Sequence, residues 1–426
     1  PFTDELRKLE DETSGRAVQG AGGIHIVLPS YYAPSGIGLV DMNTSDGRFL
    51  FFLPWMGHVL VGTTDRRCEP SMRPEPPEDE IRWILNEAVK FLHPDLNLRR
   101  QDVLSAWNGI RPLAVDPNES SGASSVSRDH VVSHNSTTGV VFISGGKWTT
   151  YREMAEDVID KAVEVGRLKP SRSCSTLTKK LHGSDGYSSN LSIQLIQEFG
   201  VARSVAERLA SAYGGRAREV CMIARNELGG NAKGTRLVEG YPVIEAEVVY
   251  GARYEWAQHA DDIIARRTRL AFLNKEAALL AIRRVVQLMA IELGWDESRQ
   301  RMESRRCVEY LRHFGGQKPL GKSSGARIAT AADISDVLEK VDNSGKKMLD
   351  AEQILLAGEL LGHSLTDKEV YACLSEAEGE LRGKGFVTHK TFKSWWNSTS
   401  CNPLLEELQR KSTATADLEG SGAFFG

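Results

Sequence analysis

Residues 139–163 read GVVFISGGKWTTYREMAEDVIDKAV. Val140, Val141, Phe142 and Ile143 form an apolar run that stops at Gly145-Gly146. Lys147, Thr149 and Thr150 follow, and then Met154, Val158, Ile159, Ala162 and Val163 recur at helical spacing. The order is strand, glycine turn, helix N-terminus. Such a turn lets a ligand approach bare backbone, and the start of a helix offers free N–H groups and the positive end of its dipole. That suits an anion, or a cofactor that becomes anionic, and Lys147 adds a formal positive charge. A tight strand–helix turn with a surface lysine leaves the same trace, so the neighbouring sequence has to decide.

Upstream, residues 23–65 are rich in strand signals. Gly23 to Leu28, Gly38 to Asp41, Arg48 to Leu53 and Val59 to Gly62 form four runs. Ser45-Asp46-Gly47 and Met56-Gly57 mark turns between the last three, so an antiparallel meander is expected. Pro77 opens a helix over residues 78–92, with Ile81, Ile84, Leu85, Ala88, Val89 and Leu92 on its apolar face. Trp107 to Leu113 (WNGIRPL) reads as a loop edge, residues 116–127 as a flexible polar segment, and Val131-Val132 as a strand. Gly20-Ala21-Gly22-Gly23 resembles a dinucleotide loop. It precedes a strand, whereas that fingerprint follows a strand and opens a helix. No G-x-G-x-x-G occupies the right context elsewhere, so a phosphate-binding βαβ unit is not expected in these residues.

Downstream of about residue 170 the period becomes helical. Residues 191–313 carry stripes such as Ile193, Leu195, Ile196 and Phe199, and a long amphipathic stretch with breaks over residues 260–293. Arg266, Arg267 and Arg269 in that stretch read as a solvated or interdomain face. Residues 315–330 read as a linker and 331–398 as two similar helix–loop–helix halves, with a Ser/Thr/Gly-rich tail over 399–426. The fold class expected is mixed α/β: an antiparallel sheet domain over residues 1–168, a helical domain over 169–314, and the appended helical pair.

The chain has 426 residues, enough for two or three domains. A net charge of −4 argues against a general nucleic-acid binder. Six cysteines are scattered without a C-x-x-C, which indicates neither a zinc site nor a disulfide framework. No run approaches the ~18 apolar residues of a membrane span. The first residues, PFTDELRKLEDETSG, resemble neither a signal nor a transit peptide. With no initiator Met, the chain is expected to begin inside a larger protein.

Several motifs in order carry a family resemblance: Gly23-Ile24-His25-Ile26-Val27-Leu28-Pro29, Phe52-Leu53-Pro54-Trp55, Gly62-Thr63-Thr64-Asp65, the WNGIRPL stretch, Ser127-Arg128-Asp129-His130 and Gly145 to Arg152. Ile244 to Val248 and Arg266 to Leu273 continue the series. The sequence from Pro1 to about residue 312 resembles the FAD-dependent glycerol-3-phosphate dehydrogenases of mitochondria. The third region resembles the EF-hand pair appended to the animal-type enzymes. The resemblance implies that this chain is a C-terminal portion without the FAD-binding half that carries the glycine fingerprint.

The family reaction takes a hydride from C2 of glycerol 3-phosphate to the flavin, giving dihydroxyacetone phosphate, and passes electrons to a quinone. It needs a base for the C2 hydroxyl, fixed cations for the phosphate and positive charge near the reduced flavin. The resemblance makes His25 the base, and its ordinary pKa of about 6.5 suits that task. His25 lies between Ile24 and Ile26, so as a strand residue it points to the opposite face. A polar residue on a solvent face would look the same. Arg111 and Arg128 become the phosphate clamp, and Gly145, Gly146, Lys147, Thr149 and Thr150 hold the flavin's N1–C2=O end. Thr64 and Asp65 are placed near the flavin, where a strand-end threonine can equally make only local hydrogen bonds.

The resemblance further implies FAD as cofactor, and glycerol 3-phosphate and quinone as partners. It also implies a possible partner chain carrying the missing half, a homo-oligomer, and a peripheral place on the mitochondrial inner membrane. The Arg-rich residues 298–313 are a candidate lipid-facing segment.

A calcium loop wants oxygen ligands at positions 1, 3, 5 and 12 and glycine at 6. Taking Gly385 as position 6 places Glu380, Arg382, Lys384 and Thr391 there; taking Gly345 places Lys340, Asp342, Ser344 and Ala351. Neither loop is expected to bind calcium tightly, while Phe386, Phe392, Trp395 and Trp396 are expected to keep the pair as a packing module. No metal ligands are expected elsewhere. A non-catalytic interaction module is the alternative to an enzyme portion. A related amine or amino-acid oxidase is disfavoured by the two arginines.

Overall fold

The β1 strand, Val18–Pro29, decides where everything else in the first half can go. A computed structural model of the protein describes residues 1–34, 36–115, 126–127, 129–228, 234–315, 331–342, 344–361, 363–377 and 379–398. Of the sequence expectations, Arg128, the polar segment over 116–125, the linker after Gly315 and the tail from 399 lie outside the described residues. The described part divides into two compact units, one formed by residues 1–235 with 313–315 and the other by 236–312 with the remainder.

In the first unit α1 (Thr3–Glu10) precedes β1, and β2 (Leu39–Asp41), β3 (Leu50–Trp55), β4 (His58–Gly62) and the short β5 (Arg66–Arg67) follow. Helix α2 (Glu78–Val89), β6 (Ser105–Val115) and β7 (Val126–Ser127) complete a seven-stranded sheet. Its order is β2-β3-β4-β1-β6-β7, with β5 also paired to β1, and every pairing is antiparallel. Alternation sorts β1 into two faces. Ile24, Ile26 and Leu28 are buried with Leu50, Phe52, Val59 and Val61 against Ile81, Ile84, Leu85 and Ala88 of α2. Gly23 and His25 therefore belong to the other face.

Two sequence expectations are corrected here. Trp107 to Leu113 is not a loop edge but the middle of β6, paired with β1 from Val18↔Ala114 to Val27↔Ser105. Pro112 is tolerated because, among the described residues, β7 pairs β6 only at Ala114 and Val115, which leaves β6 a one-sided strand at the proline. The Gly20 to Gly23 run lies inside β1 rather than before it. A Cβ on Gly20 would fall 2.3 Å from the Cys68 carbonyl oxygen, so close strand approach, not a phosphate, explains that glycine.

A separate ribbon, β8 (His130–His134) with β9 (Val141–Gly145), leads into α3 (Tyr151–Gly166). His130 Nε2 meets Asp157 of α3 at 2.7 Å, tying helix to ribbon. Helices α4 (Leu191–Phe199), α5 (Arg203–Tyr213) and α6 (Ala217–Asn226) close the first unit.

The second unit opens with α7 (Glu245–Tyr254), a π-helical turn over Asp262–Arg267, and α8 (Leu270–Leu273). Helix α9 (Lys275–Leu293) is capped by Asn274, which accepts from the Glu276 and Ala277 N–H groups, and α10 (Glu297–Leu311) follows. The arginines read as a solvated run are ion-paired within this unit: Arg266 with Asp261 at 2.7 Å and Arg267 with Glu255 at 3.0 Å. On α10, Arg299 meets buried Glu303 at 2.8 Å and Arg306 meets buried Asp261 at 3.2 Å.

Then come α11 (Ala331–Val341), β10 (Met348–Leu349), α12 (Ala351–Leu361), α13 (Asp367–Ser375), β11 (Val387–Thr388) and α14 (His389–Ser398). They form two helix–loop–helix halves whose loops join through the β10–β11 ribbon. Phe392, Trp395 and Trp396 are in the core of this module, with Ile334, Leu338, Ile354 and Leu361. Phe386 is 41% exposed and does not belong to that core. Among the described residues no helix is long and apolar enough to cross a membrane.

Candidate active site

The face of the sheet away from α2 carries the residues singled out from sequence. In register, Phe51, Gly62, His25 and Trp107 form one row across β3, β4, β1 and β6. The next row on β1 and β6 is Gly23 opposite Gly109, and the one after is Ala21 opposite Arg111. The His25 ring stacks beside Trp107 at 5.8 Å and 14°. It also leans over Gly62, where a Cβ would lie 2.6 Å from His25 Cδ2. Among the described residues, nothing hydrogen-bonds its ring nitrogens. Burial, helped by the charge of Arg111, pushes the His25 pKa down to about 4, so the imidazole is neutral near pH 7.

Arg111 reaches back along β6 and rests its guanidinium on Gly23. Nη2 donates to Thr63 Oγ1 at 2.7 Å and Nη1 to the Thr64 carbonyl at 3.3 Å. The Asp65 carboxylate is 3.7 Å away. The strand end after β4 thus fixes the fork, and among the described residues the exposed Asp65 is the carboxylate that competes for it. Thr64 is buried, and its hydroxyl accepts from the Ile24 N–H at 3.1 Å. That is the local hydrogen-bonding use of a strand-end threonine. Sequence reasoning quoted Thr63 in its motif but gave it no part; the guanidinium contact is what singles it out. It also passed over Trp107 and the three glycines of this face.

Gly145 and Gly146 both have positive φ, 74° and 76°, which supplies the turn from β9 toward α3. Neither leaves a vacancy. A Cβ on Gly145 would meet the Asp129 carbonyl at 2.7 Å, and one on Gly146 would meet Met154 Sδ at 2.6 Å. Trp148–Thr150 form a 3₁₀ turn before α3, and Thr150 donates its hydroxyl to the Lys147 carbonyl at 3.1 Å. Thr149 is exposed on this turn. Lys147 is exposed and its ammonium has no partner among the described residues. Beside it, Trp148 and Tyr151 stack at 5.5 Å with Trp148 86% exposed, an aromatic platform that the sequence reading did not use. The turn is anchored near Ala114, three residues beyond Arg111 on β6, so it borders the same strand as the first cluster. His25, Thr64, Asp65 and Arg111 are therefore brought together. Gly145 to Thr150 form a second group, and Arg128 lies outside the described residues.

Residues 1–152 match the family described as FAD dependent oxidoreductase, and residues 174–300 match the C-terminal domain of alpha-glycerophosphate oxidase. The mitochondrial glycerol-3-phosphate dehydrogenase of Mesocricetus auratus is 40% identical over 393 residues, covering 90% of this chain and 53% of that protein. The human mitochondrial enzyme is 43% identical over 360 residues, covering 83% and 48%. The chain belongs to the glycerol-3-phosphate dehydrogenase family. The mitochondrial member from Arabidopsis thaliana is 44% identical over 332 residues, with 75% of this chain and 52% of that one covered. The solved glycerol-3-phosphate dehydrogenase from Bacillus halodurans, complexed with FAD, superposes with a TM-score of 0.61 at 25% identity. That match covers 76% of this chain and 62% of the other. The chain spans about half the length of the curated relatives it matches.

In the helix–loop–helix module the loop geometry corrects one expectation. The Leu349↔Val387 pairing aligns the two loops, so Lys347 is the counterpart of Gly385. Lys347 has φ 55°, and its N–H donates to Asp342 Oδ2 at 2.7 Å. Position 6 of the first loop is thus Lys347, not Gly345. Asp342 takes position 1, Ser344 position 3, Lys346 position 5 and Gln353 position 12. Gln353 Nε2 is spent on the Val341 carbonyl at 3.0 Å, and Asp350 pairs with Arg283 at 3.0 Å. His389 Nε2 stands 3.3 Å from Asp342 without hydrogen-bond alignment.

Proposed function

We propose that this chain forms the substrate-facing part of a flavoenzyme that oxidises sn-glycerol 3-phosphate to dihydroxyacetone phosphate. One observation carries the reading: a neutral imidazole and a pinned guanidinium sit on adjacent rows of one sheet face. Arg111 binds the phosphate as a fork and displaces the weakly held Asp65. His25 accepts the C2 hydroxyl proton on a ring nitrogen as C2 loses its hydride. A bound phosphate also offsets the Arg111 charge that helps depress His25, so binding raises the basicity of the imidazole when it is needed. Trp107 holds the ring plane. Arg128 is assigned to the same phosphate by resemblance.

The residues present fit the ring end of FAD. Lys147, with no carboxylate partner among the described residues, would be the cation for a ring edge that gains negative charge, with Gly145, Gly146, Thr149 and Thr150 shaping its turn. FAD, when bound, supplies the acceptor for the C2 hydride. The pyrophosphate end finds no glycine fingerprint in these 426 residues, and we assign it to sequence outside them or to a partner chain. Onward transfer to a quinone, a mitochondrial location, a peripheral seat on the inner membrane and homo-oligomerisation belong to the same reading. Ion pairing of Arg299, Arg305, Arg306 and Arg312 within the second unit leaves residues 298–313 less cationic than their sequence suggests. For the module over residues 331–398, we infer an EF-hand-like pair that holds its shape without calcium, because Asp342, Ser344 and Gln353 of the first loop are already bonded and the second loop carries Arg382 and Lys384 at ligand positions.

The test is Arg111→Ala in the flavin-loaded protein. The KM for glycerol 3-phosphate rises by about 10²-fold, as for a lost charge-assisted fork. An unchanged KM removes Arg111 from the phosphate site.

A further inference from the structure

Thr63 follows β4 directly and ties the Arg111 guanidinium into a closed set of hydrogen bonds. A threonine hydroxyl has one proton and two lone pairs. Here the proton goes to the Thr64 carbonyl at 3.0 Å, which leaves the lone pairs to Arg111. Nη2 donates to that hydroxyl oxygen at 2.7 Å, and Nη1 donates to the same Thr64 carbonyl at 3.3 Å. The two nitrogens are therefore held unequally, Nη2 firmly and Nη1 loosely. These bonds use two of the five guanidinium N–H groups, and three remain for a ligand.

A rival stands beside the loosely held nitrogen. Asp65 Oδ1 is 3.7 Å from Arg111 Nη1, beyond hydrogen-bond length. A charge-assisted bond forms at about 2.7–2.9 Å, so a swing of about 1 Å closes the pair. The Asp65 side chain is 55% exposed and that of Arg111 36%, so water screens the pair at its present separation. Once closed, the pair occupies donors and offsets the charge that an anionic ligand needs. The Thr64 carbonyl and Asp65 both engage Nη1, so the bond that resists the swing is the one from Nη2 to Thr63. We propose that Thr63 is a positioning residue for the reaction: its hydroxyl holds the Arg111 fork clear of Asp65 and so keeps it open to the substrate phosphate. This rests on the reading of Arg111 as the phosphate fork. Without the hydroxyl, the guanidinium pivots about Nη1 onto Asp65, and the phosphate must break a formed ion pair to bind. The effect falls on substrate binding rather than on proton transfer at His25, and it requires a carboxylate at position 65.

The test uses the flavin-loaded protein in steady-state oxidation of glycerol 3-phosphate, with inorganic phosphate as competing anion. It compares Thr63→Val, Thr63→Ser, Asp65→Asn and the Thr63→Val/Asp65→Asn double variant. Thr63→Val is expected to raise both KM and the inhibition constant of inorganic phosphate by about tenfold, with kcat within threefold of wild type. Thr63→Ser keeps the hydroxyl and stays within threefold throughout. Added to Asp65→Asn, Thr63→Val costs threefold or less in KM, because no carboxylate is there to capture the fork. A Thr63→Val rise in KM below threefold overturns the inference, as does a rise above threefold in the Asp65→Asn background. Should Thr63→Val fail to hold flavin, Thr63→Ala carries the same comparison. The underlying reading has its own controls. Glycerol 3-phosphate must reduce the wild-type flavin, and Arg111→Ala must abolish competition by inorganic phosphate. If these hold while Thr63→Val is unharmed, only the role of Thr63 falls.

Discussion

Gly23→Ala should displace the phosphate fork without touching the fold. The added Cβ would fall 2.4 Å from both Arg111 Nη atoms and 2.6 Å from Cζ, so the guanidinium must retreat by about 1 Å to restore van der Waals contact. No other group is among its nearest neighbours, and a guanidinium at the end of a flexible stem yields readily. The retreat breaks the 2.7 Å bond to Thr63 Oγ1 and the 3.3 Å bond to the Thr64 carbonyl. A hydrogen bond from a charged donor contributes about 1.5–3 kcal/mol, and a misplacement of about 1 Å at a reacting centre costs about 10²-fold. The expected result is a fall of about 10²-fold in kcat/KM for glycerol 3-phosphate, mostly in KM. The thermal midpoint should fall only modestly, because the two lost hydrogen bonds are offset in part by the about 0.5–1 kcal/mol that alanine gains over glycine in a strand and in part by water at the half-exposed guanidinium. The assay is steady-state oxidation by the flavin-loaded protein, with Gly23→Ala, Arg111→Ala and the double variant measured together. Once the guanidinium is gone, the extra methyl has nothing to push, so the double variant should match Arg111→Ala. Additive losses, or a Gly23→Ala kcat/KM within twofold of wild type, would refute the reasoning.

Acid stability offers a second prediction. His25 is held at about 4 by burial and by Arg111, below the ordinary 6.5 of an unfolded chain. Between those values the unfolded chain binds a proton that the folded one does not. Stability is therefore complete above pH 6.5 and declines as the pH drops toward 4, by about 3 kcal/mol at most. His25→Asn should remove that share of the slope in urea unfolding at pH 7.5 and 4.5; equal acid losses in both proteins would count against it. The loop register gives a third. Lys346→Asp, Lys347→Gly and Gln353→Glu together restore positions 5, 6 and 12, and should create calcium binding detectable by titration calorimetry. The unaltered protein should show no calcium-dependent shift in thermal midpoint. If the triple variant binds no calcium, or the wild type does, the assigned register fails.

Much of the site was legible because alternation is a local signal. Ile24 and Ile26 flank His25, and burying them sends the imidazole to the other face whatever the rest of the chain does. Strand β6 was not legible, because Gly109 and Pro112 are turn signals locally. Only the non-local pairing with β1 shows that the proline sits where, among the described residues, no second strand calls for a backbone donor. The role of Thr63 turns on which way a side chain points beyond the end of β4, and that is set by the reach of Arg111 from a strand about fifty residues later. The first loop of the helical pair misled for a related reason. Gly345 and Lys347 both take positive φ, and sequence favours the glycine as the hinge. The Asp342 bond to the Lys347 N–H and the Leu349↔Val387 pairing choose the lysine.

Strand β1 serves core and site with alternate residues, and this ties two kinds of failure together. Slipping β1 by one residue against β6 would turn Ile24 and Ile26 out to solvent and drive His25 under α2. Such a molecule would lose its hydrophobic anchor and its proton acceptor in the same event. Mispairing of this strand thus yields chains that quality control can recognise by their instability, and not a reservoir of durable but inert protein. For this class of folding error, survival itself certifies a correctly assembled site.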